Sequence, residues 1–322
     1  MKLLRNSLLL ILGGAVFFTA VGLYLSWAPD VPVDALKARW AQPPSQFVAL
    51  QGMQVHFRDE GPGAGKPQVA GEPLPIVLLH GTSASLHTWN GWAAELSKTR
   101  RVLRFDLPGF ALTGPQPQGD YSMAAYSRFV LGMLDQLGIQ RCVLAGNSLG
   151  GQIAWATALQ APQRVGQLVL IDAAGYPMDS ESVPIGFKIA RMPGLRWLVQ
   201  SVLPRGLIEQ SVRNVYAQPD RVTPELVDLY YDITRRAGNR AALGQRMDQR
   251  DTSQVARLKD LKMPTLILWG AQDRLIPPRY GQAFAKDIAD SQLVVLDGLG
   301  HVPHEEDPAR SLAALQPFLS KP

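Results

Sequence analysis

A short glycine-rich turn near the middle of the chain constrains its fold more than any other stretch. Residues 146–151 read GNSLGG, and they separate an apolar run at 142–145 from a helical pattern at 152–159. The apolar run predicts a buried strand, so we expect Ser148 on a strand-to-helix turn. Gly146 and Gly150 allow the chain to bend sharply, because a Cβ at either position would collide with neighbouring backbone. The pattern indicates a nucleophile elbow, with a glycine-rich turn and an incidental serine as the alternative.

Strand and helix patterns alternate on both sides of this turn. Apolar runs typical of strands lie at 75–79, 101–106, 168–172, 265–269 and 293–296, and helical patterns separate most of them. This alternation predicts right-handed β-α-β units and an α/β fold with a mostly parallel central sheet and flanking helices. A hairpin at 47–58 precedes them, and on it we expect His56 to be an exposed strand residue.

Only helical patterns occur between residue 177 and about residue 262. Thr223 followed by Pro224 is typical of a helix start within this block. We therefore predict a core formed by residues 47–176 and 263–322, interrupted by a helical cap at 177–262.

Composition excludes several classes of protein. The 322 residues carry a net charge of only +5 without a dense basic run, so nothing favours nucleic-acid binding. The single cysteine, Cys142, excludes an intrachain disulfide and a zinc site built from cysteines. Because it lies in the apolar run before the turn, we interpret it as a small core residue.

The first 29 residues differ from the rest of the chain. Lys2 and Arg5 precede an uncharged, mostly apolar segment at 6–29, which is long enough to cross a bilayer. A membrane anchor and a cleaved secretory signal are the two interpretations, and the length of the segment favours the anchor. Residues 30–46 are then a proline-containing stalk with a short helix at 33–40. We expect the catalytic part to be exported, to the periplasmic or extracellular side, or secreted if the signal is cleaved.

Two further strand ends carry residues that can activate a serine. Asp273 follows the predicted strand at 265–269, and His301 follows the one at 293–296. Because the carboxyl ends of parallel strands open on one crevice, Ser148, Asp273 and His301 can converge there. A serine hydroxyl needs such a base, and the base needs an acid that fixes its tautomer. The rivals are Asp172, which also ends a strand, and His304, which we pair with Glu305 instead.

These motifs together resemble the α/β-hydrolase family, in particular its capped esterases and meta-cleavage C–C hydrolases. The resemblance covers about residues 47–320, and its motifs lie at 80–81, 106–109, 146–151, 270–277 and 300–307. It implies that Ser148 is the nucleophile, His301 the general base and then acid, and Asp273 the residue that orients His301.

The resemblance also implies where negative charge is stabilised. The backbone N–H groups of Thr82 and Leu149 would form the oxyanion hole. His80 and Asp106 would shape the adjoining loops, without a catalytic role. Ser148 stands where haloalkane dehalogenases and epoxide hydrolases have aspartate, so the expected reaction is acyl transfer, with no metal or organic cofactor.

The cap is expected to select the substrate. Its apolar side chains favour a hydrophobic ester or lipid, with Trp89, Trp197 and Tyr230 as candidate contacts, although aromatic residues at helical spacing are more often core. Other candidates are Phe187, Met192, Leu198, Tyr216 and Tyr231. C–C hydrolysis of a vinylogous diketone is the main alternative and would need a cap arginine such as Arg191. A non-catalytic binding protein is a third, and the oligomeric state is left open.

Overall fold

The central sheet of the computed structural model has eight strands, in the order β1-β2-β4-β3-β5-β6-β7-β8. The structure describes residues 2–184, 187–188 and 201–320. The strands are β1 (Gln46–Leu50), β2 (Met53–Glu60), β3 (Ile76–Leu79), β4 (Val102–Phe105), β5 (Cys142–Asn147), β6 (Val165–Ile171), β7 (Thr265–Gly270) and β8 (Ser291–Leu296). The pairs β1–β2 and β2–β4 are antiparallel, and all the later pairs are parallel. The mostly parallel sheet predicted from the sequence is thereby confirmed.

Helices cover both faces of this sheet. The helices outside the predicted cap are α1 (Lys2–Leu25), α2 (Val33–Trp40), α3 (Asn90–Leu96), α4 (Met123–Gln136), α5 (Leu149–Gln160), α9 (Arg279–Asp287), α10 (Pro303–Glu306) and α11 (Pro308–Leu319). The core cluster on one face includes side chains of α4, α5 and α9. The cluster on the other face includes side chains of α3 and α11.

Strand β5 shows why the inner strands are apolar throughout. Cys142 and Leu144 belong to the cluster on one face, whereas Val143 and Ala145 belong to the cluster on the other. Successive side chains of a strand point to opposite faces, so a sheet with two covered faces needs apolar residues at every position. Cys142 is buried, as expected of a core residue, and burial raises the pKa of its thiol to about 12.

Three described helices, α6 (Arg205–Val215), α7 (Pro224–Arg235) and α8 (Asn239–Asp248), lie between β6 and β7. Helix α7 begins as expected, because the Thr223 side chain accepts a hydrogen bond from the Leu226 N–H. Between these two strands the described residues add no strand to the sheet. A small apolar cluster packs α6 and α7 against Val302, which lies just after the predicted catalytic histidine.

The segment after α1 is attached to these helices. Trp27 forms an antiparallel bridge with Val202, and Val31 forms a parallel bridge with Arg236. Ala28 is buried in the same cluster as α6 and α7. Within the described part of the chain, no helix combines the length and the apolar character that a bilayer crossing requires. The predicted N-terminal anchor is therefore not supported.

One buried pair corrects the prediction for the N-terminal hairpin. His56 is fully buried, not exposed, and its Nδ1 lies 2.7 Å from Oδ2 of Asp106. Asp106 also accepts hydrogen bonds from the backbone of Leu86 and Leu112. Burial by itself would raise the pKa of Asp106, but the charge and hydrogen bond of His56 outweigh this and lower it to about 2. Asp106 thus ties together the loops that follow β3 and β4, as its motif implied.

Candidate active site

Ser148 lies between β5 and α5 in a backbone conformation that residues other than glycine rarely adopt. Its φ is 54° and its ψ is −117°. The predicted glycine requirement has a direct cause, because a Cβ on Gly146 would collide with the carbonyl of Gly150. A Cβ on Gly150 would in turn collide with the carbonyl of Leu79. The close packing of the elbow against β3 holds the strained serine in place.

His301 and Asp273 are joined by a short hydrogen bond. Their Nδ1 and Oδ2 atoms are 2.7 Å apart, and both residues are buried. The other carboxylate oxygen of Asp273 accepts from the backbone N–H groups of Leu275 and Ile276, at 2.8 and 2.9 Å. This arrangement orients the carboxylate, so Nδ1 of His301 carries a proton and Nε2 is left with its lone pair.

Ser148 and His301 both line one cavity of about 580 Å³. Asn147, next to Ser148, donates a hydrogen bond of 2.9 Å to the backbone oxygen of His301, which couples the elbow to the histidine loop. Nε2 of His301 has no hydrogen-bond partner among the described residues. The bond between a catalytic serine and its base often tightens only when substrate is bound, so this geometry is compatible with a resting triad.

Thr82 and Leu149 lie on either side of Ser148 and also line this cavity. The N–H of Leu149 has no acceptor within α5, because Leu149 begins that helix. The loop that carries Thr82 is held by His80, whose Nε2 accepts from the Leu107 N–H at 2.9 Å and whose Nδ1 lies 2.7 Å from the oxygen of Gly81. Burial lowers the pKa of His80, which keeps the ring neutral for both bonds.

Asp172, the rival acid, lies beside the triad without bonding to the histidine. A carboxylate oxygen of Asp172, a carboxylate oxygen of Asp273 and a ring nitrogen of His301 all lie within 4.8 Å of one another. Oδ1 of Asp172 accepts from the Gly270 N–H at 2.9 Å. Burial, and then the charge of Asp273, raise the pKa of Asp172 well above its usual value, which favours the neutral acid. His301 is therefore paired with Asp273, and Asp172 lies beside this pair without a hydrogen bond to the imidazole.

Glu305 forms a buried junction between core and cap that the sequence motifs did not indicate. Its carboxylate accepts from the hydroxyl of Thr88 in the core and from the hydroxyls of Tyr216, at 2.7 Å, and Tyr230, at 3.0 Å, in the predicted cap. Burial raises the pKa of Glu305, and these three hydrogen bonds oppose that rise. Only the pairing of Glu305 with its neighbour His304 was expected, whereas the tyrosines are far away in sequence.

The predicted substrate contacts differ in position. Tyr230 and Phe187 line the cavity. Trp89 does not, because it is fully buried and packs on His304, with ring centroids 4.0 Å apart. Tyr216 is buried against Glu305. Trp197, Met192, Leu198 and Arg191 lie outside the described residues.

The cavity also has features that the motifs did not reveal. Most of its wall is apolar, and the apolar residues are Ala84, Leu149, Ala174, Met178, Val183, Pro184, Phe187, Val202, Leu203, Pro204, Leu207, Ile208, Val212, Val215, Leu243, Met247, Leu275, Ile276 and Val302. Three arginines, Arg240, Arg246 and Arg250, line it as well.

Comparison with known proteins identifies the architecture. A family model described as alpha/beta hydrolase fold matches residues 75–308. The chain is 30% identical over 269 residues to a 2-hydroxy-6-oxo-2,4-heptadienoate hydrolase of Pseudomonas putida, covering 80% of this chain and 89% of that protein. The resemblance indicated by the motifs is confirmed.

Solved structures extend the likeness. An esterase from Thermogutta terrifontis is 28% identical, with a TM-score of 0.67, covering 87% of this chain and 98% of that one. A membrane phospholipase A is 24% identical, with a TM-score of 0.72, covering 99% of this chain and 98% of that one. At this identity the second likeness shows the fold alone.

Proposed function

Since this chain belongs to the α/β-hydrolase family, we propose that it is a serine hydrolase that cleaves carboxylic esters with apolar, medium-length acyl chains. The observation that carries the proposal is the hydrogen bond of 2.7 Å between His301 and Asp273, which leaves Nε2 of His301 at the wall of the same apolar cavity as Ser148.

The reaction begins with the serine. Nε2 of His301 accepts the proton of the Ser148 hydroxyl while Oγ attacks the ester carbonyl carbon, and Asp273 stabilises the imidazolium without being protonated. The negative charge develops on the carbonyl oxygen, towards the N–H groups of Thr82 and Leu149. These donors are already in place, and each typically contributes about 3 to 4 kcal/mol to transition-state stabilisation.

The second half of the reaction repeats these roles. His301 gives its proton to the leaving alcohol, and the acyl group stays on Ser148 as an ester. Water then attacks the acyl-enzyme with His301 as base, which releases the carboxylic acid and restores the serine. The apolar wall supports an apolar acyl group, because contact with it removes hydrocarbon surface from water at about 25 cal/mol per Å².

A series of p-nitrophenyl esters tests this proposal. We expect kcat/KM to rise from acetate towards medium chains, and Ser148→Ala to lower kcat by at least about 10⁴-fold. Ser253→Ala, an exposed serine outside the cavity, is the control and should retain activity. A fluorophosphonate probe that labels a known serine esterase but not this protein would overturn the proposal and favour a non-catalytic binding protein.

Hydrolysis of a C–C bond is a second candidate, and the similarity to the heptadienoate hydrolase of Pseudomonas putida favours it. Against it, Val302 follows His301, where that group of enzymes tends to have an aromatic residue. A direct comparison of kcat/KM for p-nitrophenyl butyrate and for a dienoate ring-cleavage product distinguishes the two activities. A higher value for the dienoate would overturn the ester proposal while leaving the triad intact.

We also propose that the catalytic part is exported, on the basis of the apolar N-terminal segment that follows Lys2 and Arg5. Fusion of the chain to a reporter that is active only outside the cytoplasm tests this. An active reporter is expected, and a fusion that is expressed in full length but inactive would contradict the proposal.

A further inference from the structure

The wall of the cavity that contains Ser148 includes positively charged arginine side chains. Among the described residues that line it, Arg240, Arg246 and Arg250 are the arginines, and none is aspartate or glutamate. All three come from α8 or the turn that follows it, whereas the apolar wall includes much of α6. The cavity therefore combines a hydrocarbon surface with a localised positive charge.

Arg246 is a buried member of this group whose charge is not balanced by a nearby acid among the described residues of the cavity wall. Only 7% of its surface is exposed, and its Nε–H has no hydrogen-bond acceptor among the described residues. The guanidinium lies near the Tyr126 hydroxyl, a neutral group that donates its own hydrogen bond to the Pro108 oxygen. Burial lowers the pKa of Arg246, and the physical reason is that a cation removed from water loses hydration. Its charge lacks an acidic partner in the cavity wall, so an anion entering the cavity would satisfy it.

The two other arginines differ from Arg246 in their surroundings. Arg240 is paired with Asp30 of the N-terminal segment, with an N···O distance of 2.6 Å, so much of its charge is already balanced. Arg250 is exposed and lies at the rim of the cavity. An anion bound by Arg246 would thus also face the guanidinium of Arg250 at the rim. A guanidinium presents paired N–H donors whose geometry matches the oxygens of a phosphate or carboxylate.

We propose that Arg246, with Arg250 at the rim, forms an anion-binding subsite within the catalytic cavity, so that the preferred ester carries a phosphate or carboxylate group beside its hydrocarbon chain. This inference rests on the proposed ester hydrolysis, and it adds the substrate class. The apolar wall then binds the chain while the subsite binds the anionic group. Both kinds of anion present the same oxygen chemistry to a guanidinium, whether a lipid headgroup or a free acid supplies it.

Binding to a protein without its nucleophile tests the subsite independently of turnover. In the Ser148→Ala protein, we expect octyl phosphate and octanoate to bind about tenfold more tightly than octanol in calorimetry, as charge-assisted hydrogen bonds would provide. Adding Arg246→Gln should abolish this preference while octanol binding stays unchanged. Arg257→Gln removes the same charge from an exposed site that pairs with Asp260, and it should leave the preference intact.

The dependence on Arg246 is the decisive readout, because the N–H groups of Thr82 and Leu149 can also attract an anion. An anion preference that persists in Arg246→Gln would overturn the subsite, and so would equal binding of octanol and octyl phosphate. If Arg246→Gln fails to fold, Arg250→Gln decides, with an expected loss of about threefold in octyl phosphate affinity. An unchanged affinity there would also overturn the proposal.

Comparing ligands identifies the source of the anion. Stronger binding of octyl phosphate than of octanoate favours a phosphate-bearing lipid, and the reverse favours a free carboxylate. Inorganic phosphate alone should bind weakly, because it lacks the hydrocarbon chain. Loss of ester hydrolysis with a retained, Arg246-dependent preference would disprove the proposed function and leave the subsite standing.

Discussion

Nδ1 of His301 lies 2.7 Å from Oδ2 of Asp273, although the two residues belong to different loops. The carboxylate is itself held by two backbone N–H groups, so it cannot rotate freely to another partner. The imidazole is consequently fixed in one tautomer, with its lone pair on Nε2.

Replacing the acid should reverse this tautomer. Asp273→Asn is expected to lower kcat for p-nitrophenyl butyrate by about 10⁴-fold with little change in melting temperature, because an amide nitrogen would face Nδ1. Asp172→Asn makes the same change beside the triad and should keep kcat within about threefold of wild type. Equal losses in the two variants would contradict the assignment of Asp273.

The stability of the protein should depend on pH through Asp172. Its pKa is raised in the folded state, so the folded protein binds its proton more tightly than the unfolded chain does. This contribution is complete below the unfolded pKa of about 3.9, and it is lost as the pH rises through the folded pKa.

Asp172→Asn should remove this dependence. The unfolding free energy of Asp172→Asn, measured by urea denaturation, should therefore increase relative to that of wild type as the pH is raised from acidic to neutral. A difference between the two proteins that stays constant over that range would contradict the raised pKa.

The hydroxyl of Tyr216 should stabilise the junction between cap and core. Tyr216→Phe removes a hydrogen bond to the buried carboxylate of Glu305 and should cost about 1.5 to 3 kcal/mol of unfolding free energy. Tyr231→Phe, on a half-buried ring that keeps its contact with Arg235, is the matched control and should cost less than about 0.5 kcal/mol. Similar costs for both variants in urea denaturation would rule out a specific role for Glu305.

The oxyanion hole should depend on the backbone at Thr82 and not on its side chain. Thr82→Ala is expected to keep kcat within about threefold, whereas Thr82→Pro removes the N–H and should lower kcat by about 10² to 10³-fold. Steady-state kinetics with p-nitrophenyl butyrate, together with thermal melting, separates this loss from unfolding. A folded Thr82→Ala protein without activity would require a role for the hydroxyl.

The parts predicted correctly from the sequence share a local cause. The apolar run at 142–145 and the glycines around Ser148 describe a strand and its turn, and both depend on neighbours in the chain. Asp273 and His301 could be placed near Ser148 because parallel strands end at one edge of the sheet. This rule places side chains in one crevice but fixes no distances between them, so Asp172 remained a rival to Asp273, which the sequence favoured.

Other features depended on partners distant in sequence. His56 lies in an alternating strand pattern typical of an exposed residue. It is nevertheless buried, and it pairs with Asp106, which lies 50 residues later in the chain. Trp89 is an aromatic residue of the kind that often contacts substrate, but the ring of His304 packs against its indole ring instead. Burial of such side chains depends on which elements pack above them, and no local pattern contains that information.

The sequence by itself determined the sheet, the elbow at Ser148 and the chemistry that a serine, a histidine and an aspartate can perform, because strand periodicity and turn sterics act over a few residues. Only the tertiary structure decided that Asp273 pairs with His301, that Glu305 joins the cap to the core, and that Arg246 enters the cavity wall. These outcomes follow from packing between distant segments, which sets the burial and the electrostatic environment of each group.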